Sequence, residues 1–193
     1  MPHHYEIDYV YYMTMSASRI IRSATPADAA ACASIYEHYV RSTAITFETE
    51  PPTRDEMTAR IAKAQQRHGW LVLEEHGAVI GYAYAGTFNP RAAYQWSCEV
   101  SVYLDADQRG SGGGSALYDA LLTLLRERGY RRAIAGVTQP NPASTRLHER
   151  FGFEPVGIYR RIGWKSDSWH DVAWSQLDLL QNEDEATTPA EPQ

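Results

Sequence analysis

A glycine-rich loop between a short strand and a long helix is the feature that most restricts how this chain can fold. Residues 98–104 alternate apolar and polar side chains, as strands do, and residues 112–128 carry leucines at helical spacing before Gly129. The loop between them reads Asp-Gln-Arg-Gly-Ser-Gly-Gly-Gly-Ser over residues 107–115. Glycines let such a loop bring backbone N–H groups close to a ligand, and the helix N-terminus adds a partial positive charge. This pattern favours a phosphate or pyrophosphate site over a flexible connector.

The elements around this loop alternate in a way that predicts one mixed α/β domain. Capping patterns that begin at Thr25 and Thr53 start two helices before the first predicted hairpin. The other predicted strands and the short helix cover residues 70–73, 78–86, 133–137, 141–151, 155–161 and 172–179. A polar loop is expected between the last two strands. We predict two helices, an antiparallel meander, one strand–helix–strand unit and a closing hairpin in a mixed α/β sheet structure.

Composition and charge limit the domain organisation. The chain has 193 residues, which suits one domain, and we expect that domain to cover residues 19–180. Residues 1–18 form an N-terminal extension whose order the sequence does not decide, and residues 181–193 are expected to be an acidic, disordered tail. Two cysteines in a chain of this size are typical of a reduced, cytoplasmic protein.

The same composition weighs against several partners. Of the acidic residues behind the formal charge of −6, four lie in the tail, so the rest of the chain is only weakly acidic. This balance disfavours nucleic acid or an anionic membrane as the main partner. No apolar run approaches the ~18 residues of a membrane span, and no signal peptide is evident at the start.

Glu99 is a candidate general base because of its place in the strand before the loop. Alternation puts Cys98, Val100, Val102 and Leu104 on an apolar face, so Cys98 is expected to be a core residue rather than a nucleophile. Glu99 is on the other face. A ligand whose arm runs along this strand from the phosphate loop would bring its reactive end near Glu99, where a carboxylate can accept a proton. On spacing alone, a surface ion pair is an equally good interpretation.

His148 is the second candidate. Asn141 can cap a short helix on which Ser144 and His148 share a face. His148 could assist proton transfer, although a histidine hydrogen-bonded at a helix edge is the commoner case. Neither His148 nor His170 has metal-ligand spacing to other His or Cys residues, so we predict no metal site.

The loop sequence discriminates between families of phosphate-binding proteins. A P-loop needs Gly-Lys-Ser/Thr, which is missing here, and a dinucleotide fingerprint needs an acid about 20 residues on, whereas the next strand ends at Thr138 without one. Arg109-x-x-Gly112-x-Gly114 matches the (Arg/Gln)-x-x-Gly-x-(Gly/Ala) signature of the GNAT superfamily. In that superfamily the loop holds the pyrophosphate of coenzyme A.

Over residues 20 to about 178 the chain resembles the phosphinothricin N-acetyltransferase family of GNAT enzymes. The matching stretches are residues 43–51, 90–94, 99–103, the loop from residue 109, 147–149 with 152–153, and 163–165 with 169–172. The resemblance implies a mostly antiparallel sheet with one parallel strand–helix–strand unit and helices on both faces. It further implies a cytoplasmic homodimer that acetylates the α-amino group of phosphinothricin, methionine sulfone or methionine sulfoximine from acetyl-CoA, without a metal.

The resemblance also implies roles for individual residues. Glu99 and His148 would be catalytic. Because Cys98 is expected to face the core and no serine has a clear base partner, we expect direct attack of the amine on the thioester rather than an acyl-enzyme. The acetyl-CoA contacts would come from Val102, Tyr103, Leu104, Arg109, Gly110, Ser111, Gly112, Gly113, Gly114, Ser115, Asn141 and Ser144. Phe47, Arg91 and Tyr94 would line the substrate pocket. A guanidinium such as that of Arg91 can hold a carboxylate or phosphinate through two hydrogen bonds.

Two other functions remain open at this point. A protein N-terminal acetyltransferase would need an open groove for a peptide. A non-catalytic acyl-CoA-binding module would keep the glycine loop and lose the two catalytic candidates, Glu99 and His148, which are both present here.

Overall fold

A seven-stranded sheet forms the centre of the domain. The computed structural model describes residues 19–180 and residue 192; the expected extension over 1–18 and the acidic tail, apart from residue 192, lie outside the described residues. The strands are β1 (Arg19–Ser23), β2 (Trp70–Glu75), β3 (Ala78–Thr87), β4 (Ser97–Leu104), β5 (Arg132–Thr138), β6 (Glu154–Lys165) and β7 (Ser168–Asp178). Their order is β1-β2-β3-β4-β5-β7-β6, and every neighbouring pair is antiparallel except β4–β5. The predicted mixed fold is confirmed.

Helices cover both faces of this sheet, and each begins where its local sequence predicts. The four are α1 (Ala29–Ser42, after a 3-10 turn at Pro26–Asp28), α2 (Arg54–Gln65), α3 (Gly113–Glu127) and α4 (Pro142–Arg150). One core cluster lies between α1, α2 and the sheet, and a second lies under α3 with the apolar side of α4 against it. Within residues 19–180, no helix is long and apolar enough to cross a membrane.

Two parts of the fold differ from the sequence prediction. The strand β1 was not predicted, although it pairs with β2 over its whole length. The polar loop expected between the last two strands is wrong as well: β6 and β7 continue through it to a two-residue turn at Ser166 and Asp167, whose φ angles are 50° and 57°. Strand β6 is exposed along most of its length, so it has no buried face to produce an apolar/polar alternation that sequence reasoning could detect.

The strands β4 and β5 part after a short stretch of pairing, and this opens the sheet. Their parallel ladder contains only Ser97–Glu99 on β4 and Arg132–Ile134 on β5. Beyond it, β4 runs on to Leu104 and β5 to Thr138 without pairing with each other. We call the resulting gap the β4–β5 cleft. Backbone groups of β4 that would normally pair with β5 are therefore available to another partner.

The capping box of α2 provides a local test of the fold. Thr53 accepts a hydrogen bond from Glu56 N at 3.2 Å, and the Glu56 carboxylate accepts from Thr53 N at 2.7 Å. Replacing Thr53 by alanine should lower the free energy of unfolding by about 1 kcal/mol, since it removes the hydroxyl that satisfies a free helix N–H. Urea denaturation measures this difference.

The matched control is Thr58→Ala in the same helix. The Thr58 hydroxyl donates only to the Arg54 carbonyl, which is already inside the helix, and alanine has the higher helix propensity. Thr58→Ala should therefore cost little or nothing. Equal losses in the two variants would show that the cap does not stabilise α2.

Candidate active site

The β4–β5 cleft is lined by backbone from both strands and by side chains from two helices. Val100 to Tyr103 form one wall and Gly136 to Thr138 the other. From α4 come Asn141, Ser144 and His148, and from α3 comes Tyr118. The Asn141 side chain accepts from Ser144 N at 3.1 Å, so it caps α4 as the sequence predicts. The cleft therefore brings the two predicted residues of α4, Asn141 and Ser144, next to the predicted strand positions.

The glycine loop follows the end of β4 at Leu104 and leads into α3. Gly110 and Gly112 have φ angles of 78° and 83°, which favour glycine, and a Cβ at either would face open space. Because the first hydrogen bond of α3 runs from Ala116 N to Gly112 O, the three preceding N–H groups have no partner within the helix. The buried Ser111 hydroxyl likewise has no hydrogen-bond partner within the described chain. Such a set of unsatisfied donors suits a phosphate group.

Packing holds this helix start close to the sheet. A Cβ on Gly113 would lie only 2.7 Å from a methyl group of Leu73 on β2, so a glycine is needed for this close approach. The Arg19 guanidinium adds a hydrogen bond of 3.0 Å to the Ser111 carbonyl. Glycine at position 113 thus has a packing role beside its predicted binding role.

The arginine of the loop signature rests against α1. The guanidinium of Arg109 lies 5.2 Å from the centre of the Tyr39 ring and contacts His38 Nε2 at 3.0 Å. The Tyr39 hydroxyl in turn donates to the Leu104 carbonyl at 2.6 Å. Tyr103 points its ring into the α1 side, where it packs edge-on against Tyr39. Three residues of β4 were predicted to contact acetyl-CoA: Val102, Tyr103 and Leu104. The Leu104 carbonyl already accepts a hydrogen bond from Tyr39, and the Tyr103 ring faces away from the cleft.

Glu99 lies where the two strands begin to part. It pairs with Ile134 at the end of the parallel ladder and with Gly86 on β3. Burial raises the pKa of the Glu99 carboxyl above its ordinary value. A surface ion pair would move the pKa in the opposite direction. The direction of this shift is that of a partly desolvated carboxylate and not that of an ion-paired one.

His148 is buried against the aromatic end of the cleft. It is 8% exposed, and its Nε2 lies 2.7 Å from the hydroxyl of Tyr118. Burial lowers the pKa of His148 to about 4, so the imidazole is neutral at pH 7. Sequence reasoning missed Tyr118, because it stands among the leucines of α3 and reads as an ordinary core residue.

Cys98 is a core residue, as predicted. It is fully buried, and its Sγ lies 3.6 Å from the Arg132 carbonyl. Burial raises the pKa of the thiol far above its usual range, so it stays protonated at neutral pH. A protonated, buried thiol is a poor nucleophile.

The three residues predicted to bind substrate lie in two places. Phe47, on the loop between α1 and α2, packs against β6 and β7: its ring is 6.2 Å from His170, and a Cβ on Gly163 would overlap it. The Lys165 ammonium, at the end of β6, donates a 2.8 Å hydrogen bond to the Thr46 carbonyl and so holds this loop against the strand.

Arg91 and Tyr94 lie instead between β3 and β4. They line a groove that also contains Arg67 and His68, and the Tyr94 ring packs on Phe88 at 5.7 Å. Phe47 does not line this groove. Among the described residues, moreover, no group of three or more His, Cys, Asp or Glu side chains could hold a metal ion.

The pKa of His148 makes the stability of the domain depend on pH. Above pH 6.5 the residue is neutral in both folded and unfolded chains, but below it only the unfolded chain takes up a proton readily. The free energy of unfolding should therefore fall as the pH drops from about 6.5 towards 4, by roughly 2–3 kcal/mol for this group. Urea denaturation at several pH values measures the slope.

His148→Gln should flatten this part of the profile, because glutamine stays neutral and can still hydrogen-bond Tyr118. The control is His76→Asn in the exposed turn between β2 and β3, where asparagine tolerates the φ of 51°. This control should follow the parent profile. A His148→Gln profile as steep as that of the parent would contradict the burial argument.

Comparison with known proteins agrees with this geometry. Residues 21–174 match the family model of the acetyltransferase (GNAT) domain. A phosphinothricin N-acetyltransferase of Streptomyces viridochromogenes is 40% identical over 159 residues, covering 82% of this chain and 87% of that protein. An L-methionine sulfoximine/L-methionine sulfone acetyltransferase of Pseudomonas aeruginosa is 36% identical, covering 86% of this chain and 96% of that protein.

A solved structure extends the likeness to the fold. The phosphinothricin acetyltransferase of Sinorhizobium meliloti, in complex with AcCoA, superposes with a TM-score of 0.84 at 36% identity, covering 90% of this chain and 94% of that chain. The glycine loop, the parted strands and the half-buried carboxylate of Glu99 are thus found in a chain whose sequence and fold are those of acetyltransferases. The chain belongs to the GNAT acetyltransferase family and is an enzyme similar to the phosphinothricin N-acetyltransferases.

Proposed function

We propose that this enzyme moves the acetyl group of acetyl-CoA directly to the α-amino group of a small amino-acid-like substrate of the phosphinothricin, methionine sulfone or methionine sulfoximine type. The observation that carries the proposal is the half-buried carboxylate of Glu99 at the point where β4 and β5 part, one strand's length before the glycine loop. The similar proteins named above act on substrates of this type.

The β4–β5 cleft and the loop supply the groups that would hold the coenzyme. The pyrophosphate would lie on the N–H groups of residues 110–115, near Arg109. The pantetheine arm would pair with the free backbone edge of β4 around Val102, with Asn141 and Ser144 opposite. When bound, the coenzyme supplies an activated acetyl thioester. The open Cβ directions of Gly110 and Gly112 and the unpartnered Ser111 hydroxyl support this fit.

Glu99 would act as the base for the attacking amine. A substrate α-amino group has a reference pKa of about 8 and is largely protonated at neutral pH, so a proton must leave before attack. Burial raises the pKa of Glu99, which makes its carboxylate a stronger base than an exposed one. The proton passes from the amine to the Glu99 carboxylate, directly or through water.

The departing thiolate needs a proton from the opposite side of the cleft. At neutral pH His148 carries too few protons to serve alone as the donor, given its pKa of about 4. Its 2.7 Å contact with the Tyr118 hydroxyl makes a connected pair that faces the cleft. We therefore propose that the thiolate takes the surplus proton that attack leaves on the acceptor nitrogen. The Tyr118 hydroxyl, positioned by His148, would relay this proton without a net change in its own protonation. Arg91, on the groove beside β3, would hold the acid group of the substrate.

Replacing Glu99 by glutamine should lower kcat by about 10²–10⁴-fold and leave acetyl-CoA affinity nearly unchanged, because it removes the base and keeps the shape. The matched control is Cys98→Ala on the preceding position of β4, whose thiol has no role in direct attack. It should retain most of the turnover. Thiol release is measured with acetyl-CoA and a panel of amino acids, sulfoximines and peptides, and calorimetry gives the coenzyme affinity.

Two outcomes would reject parts of this assignment. Near-parental kcat in Glu99→Gln across pH would remove Glu99 from the mechanism, and a trapped acetyl group on Cys98 would replace direct attack by a two-step transfer. If a peptide proves a better acceptor than every amino acid, the enzyme is a protein N-terminal acetyltransferase instead.

We further propose that the enzyme works as a symmetric dimer in the cytoplasm, joined through β6. This edge strand carries five large apolar side chains that are each more than half exposed: Val156, Ile158, Tyr159, Ile162 and Trp164. An unpaired sheet edge with an apolar surface of this size is typical of a protein interface. Two-fold dimers are the commonest oligomers, since one surface serves both subunits.

Placing a charge on this surface tests the dimer. Ile158→Glu should convert a dimer into a monomer in light scattering, because the carboxylate would be buried unpaired in the interface. Ala62→Glu, on the exposed side of α2, is the control and should leave the mass unchanged. A parent protein that is already monomeric at working concentration would overturn the proposal.

A further inference from the structure

A second cavity lies between α2 and the sheet, on the opposite side from α3. It has a volume of about 330 Å³, within the range of small-molecule sites. Its floor is aromatic: Trp70, Tyr82 and Tyr84 line it, with Trp70 and Tyr84 stacked at 4.4 Å. Its far wall is the second half of α2. We call it the α2 cavity.

The α2 cavity is on the same face of the sheet as the Glu99 side chain. Gly86, which lines the cavity, is the cross-strand partner of Glu99, and residues paired in this way project to the same face. A Cβ on Gly86 would meet no atom within 4 Å, so the space above it is open. Gly86 therefore puts no side chain between the cavity and the neighbouring position of Glu99.

The wall of the α2 cavity is positively charged. It is lined by Arg60 and Lys63, which share one side of α2, and by Arg67 in the turn after the helix, and no acidic residue lines it. Arg60 is held by both oxygens of Glu48, at 2.7 and 2.9 Å, which offsets its charge. Among the described residues, neither Lys63 nor Arg67 has an ion-pair partner.

A neighbouring group reports the same positive potential. The pKa of His68, at the end of the wall, is lowered by burial and by the charges of Arg67, Arg128 and Lys63. Because Lys63 at the end of α2 and Arg67 in the following turn line the same cavity, an anion bound there would be attracted by both charges. The groove that contains Arg91 shares Arg67, His68 and Thr87 with the cavity, so the positive surface continues to the β3–β4 loop.

We propose that the α2 cavity binds an anionic side chain of the acceptor amino acid. The acceptor would place its amino group at Glu99, pass over Gly86, and end in a carboxylate or phosphinate held by Lys63 and Arg67. Arg91 would take the second acid group of the same molecule. The inference rests on the proposed acetyl transfer and narrows its substrate class to acceptors with two acid groups, in preference to neutral ones such as sulfones.

Matched acceptor pairs test the charge preference. Glutamate is compared with glutamine, and phosphinothricin with methionine sulfone, by kcat/KM in the thiol-release assay. The parent enzyme should favour the anionic member of each pair by about ten-fold or more, as expected for charge-assisted hydrogen bonds. In the double variant Lys63→Gln/Arg67→Gln this ratio should fall towards one. Arg54→Gln, which removes the same charge from α2 outside the cavity, should keep the parental ratio.

A second variant tests the passage independently of charge. Gly86→Ala introduces one methyl group into open space at an ordinary φ, so the fold tolerates it, but it narrows the route to Glu99. It should raise the KM of the acceptor several-fold while calorimetry shows unchanged acetyl-CoA affinity.

Different results would reject the α2 cavity as the side-chain site and reject the proposed acetyl transfer. If the parent acetylates amino acids but prefers the neutral members, or if the double variant keeps the parental ratio, the α2 cavity is not the side-chain site. If Gly86→Ala leaves the acceptor KM unchanged, the route over Gly86 is wrong. If no amino acid in the panel is acetylated at all, the proposed acetyl transfer itself fails.

Discussion

The parting of β4 and β5 after Glu99 and Ile134 determines where every other feature of the site lies. Three residues of parallel pairing hold the two strands together at one end, and beyond them each strand loses the other as a hydrogen-bond partner. A polar backbone edge inside a sheet is unfavourable unless something satisfies it. The cleft is therefore a candidate ligand site: the backbone edge of β4 lacks a partner there, Glu99 lies where the strands begin to part, and the glycine loop follows the other end of β4.

Burial shifts the pKa values of Glu99 and His148 in opposite directions. Removal from water disfavours charge, so the pKa of Glu99 rises while that of His148 falls to about 4. The consequence is a site with a more basic carboxylate and a neutral imidazole. A neutral His148 can accept a hydrogen bond from Tyr118, which a protonated one cannot do. The hydrogen-bonded pair thus depends on the same packing, against Phe153 and its neighbours, that lowers the pKa.

Sequence reasoning recovered the features whose cause is local. The capping box at Thr53, the glycines before α3 and the alternation around Glu99 each act within a few residues, and the structure has all three. Sequence reasoning missed the features that depend on contacts between segments far apart in the chain. Tyr118 and His148 meet only because α3 and α4 pack on one face, and the parting of β4 from β5 leaves no pattern in either strand. The exposed strand β6 lacks a buried face, so nothing in its side-chain order marked its extent.

The charge distribution explains how an acidic protein can attract acidic ligands. The chain carries a formal charge of −6, and both proposed substrates are anions, so the overall field opposes binding. Screening confines that field to about 8 Å at physiological ionic strength, which makes the local groups decisive. The helix start at Gly112 provides one positive region on the α3 side of the sheet, and the wall of the α2 cavity provides another on the opposite side. Glu99 lies on the sheet between them, so two anions drawn to separate regions would meet at its half-buried carboxylate.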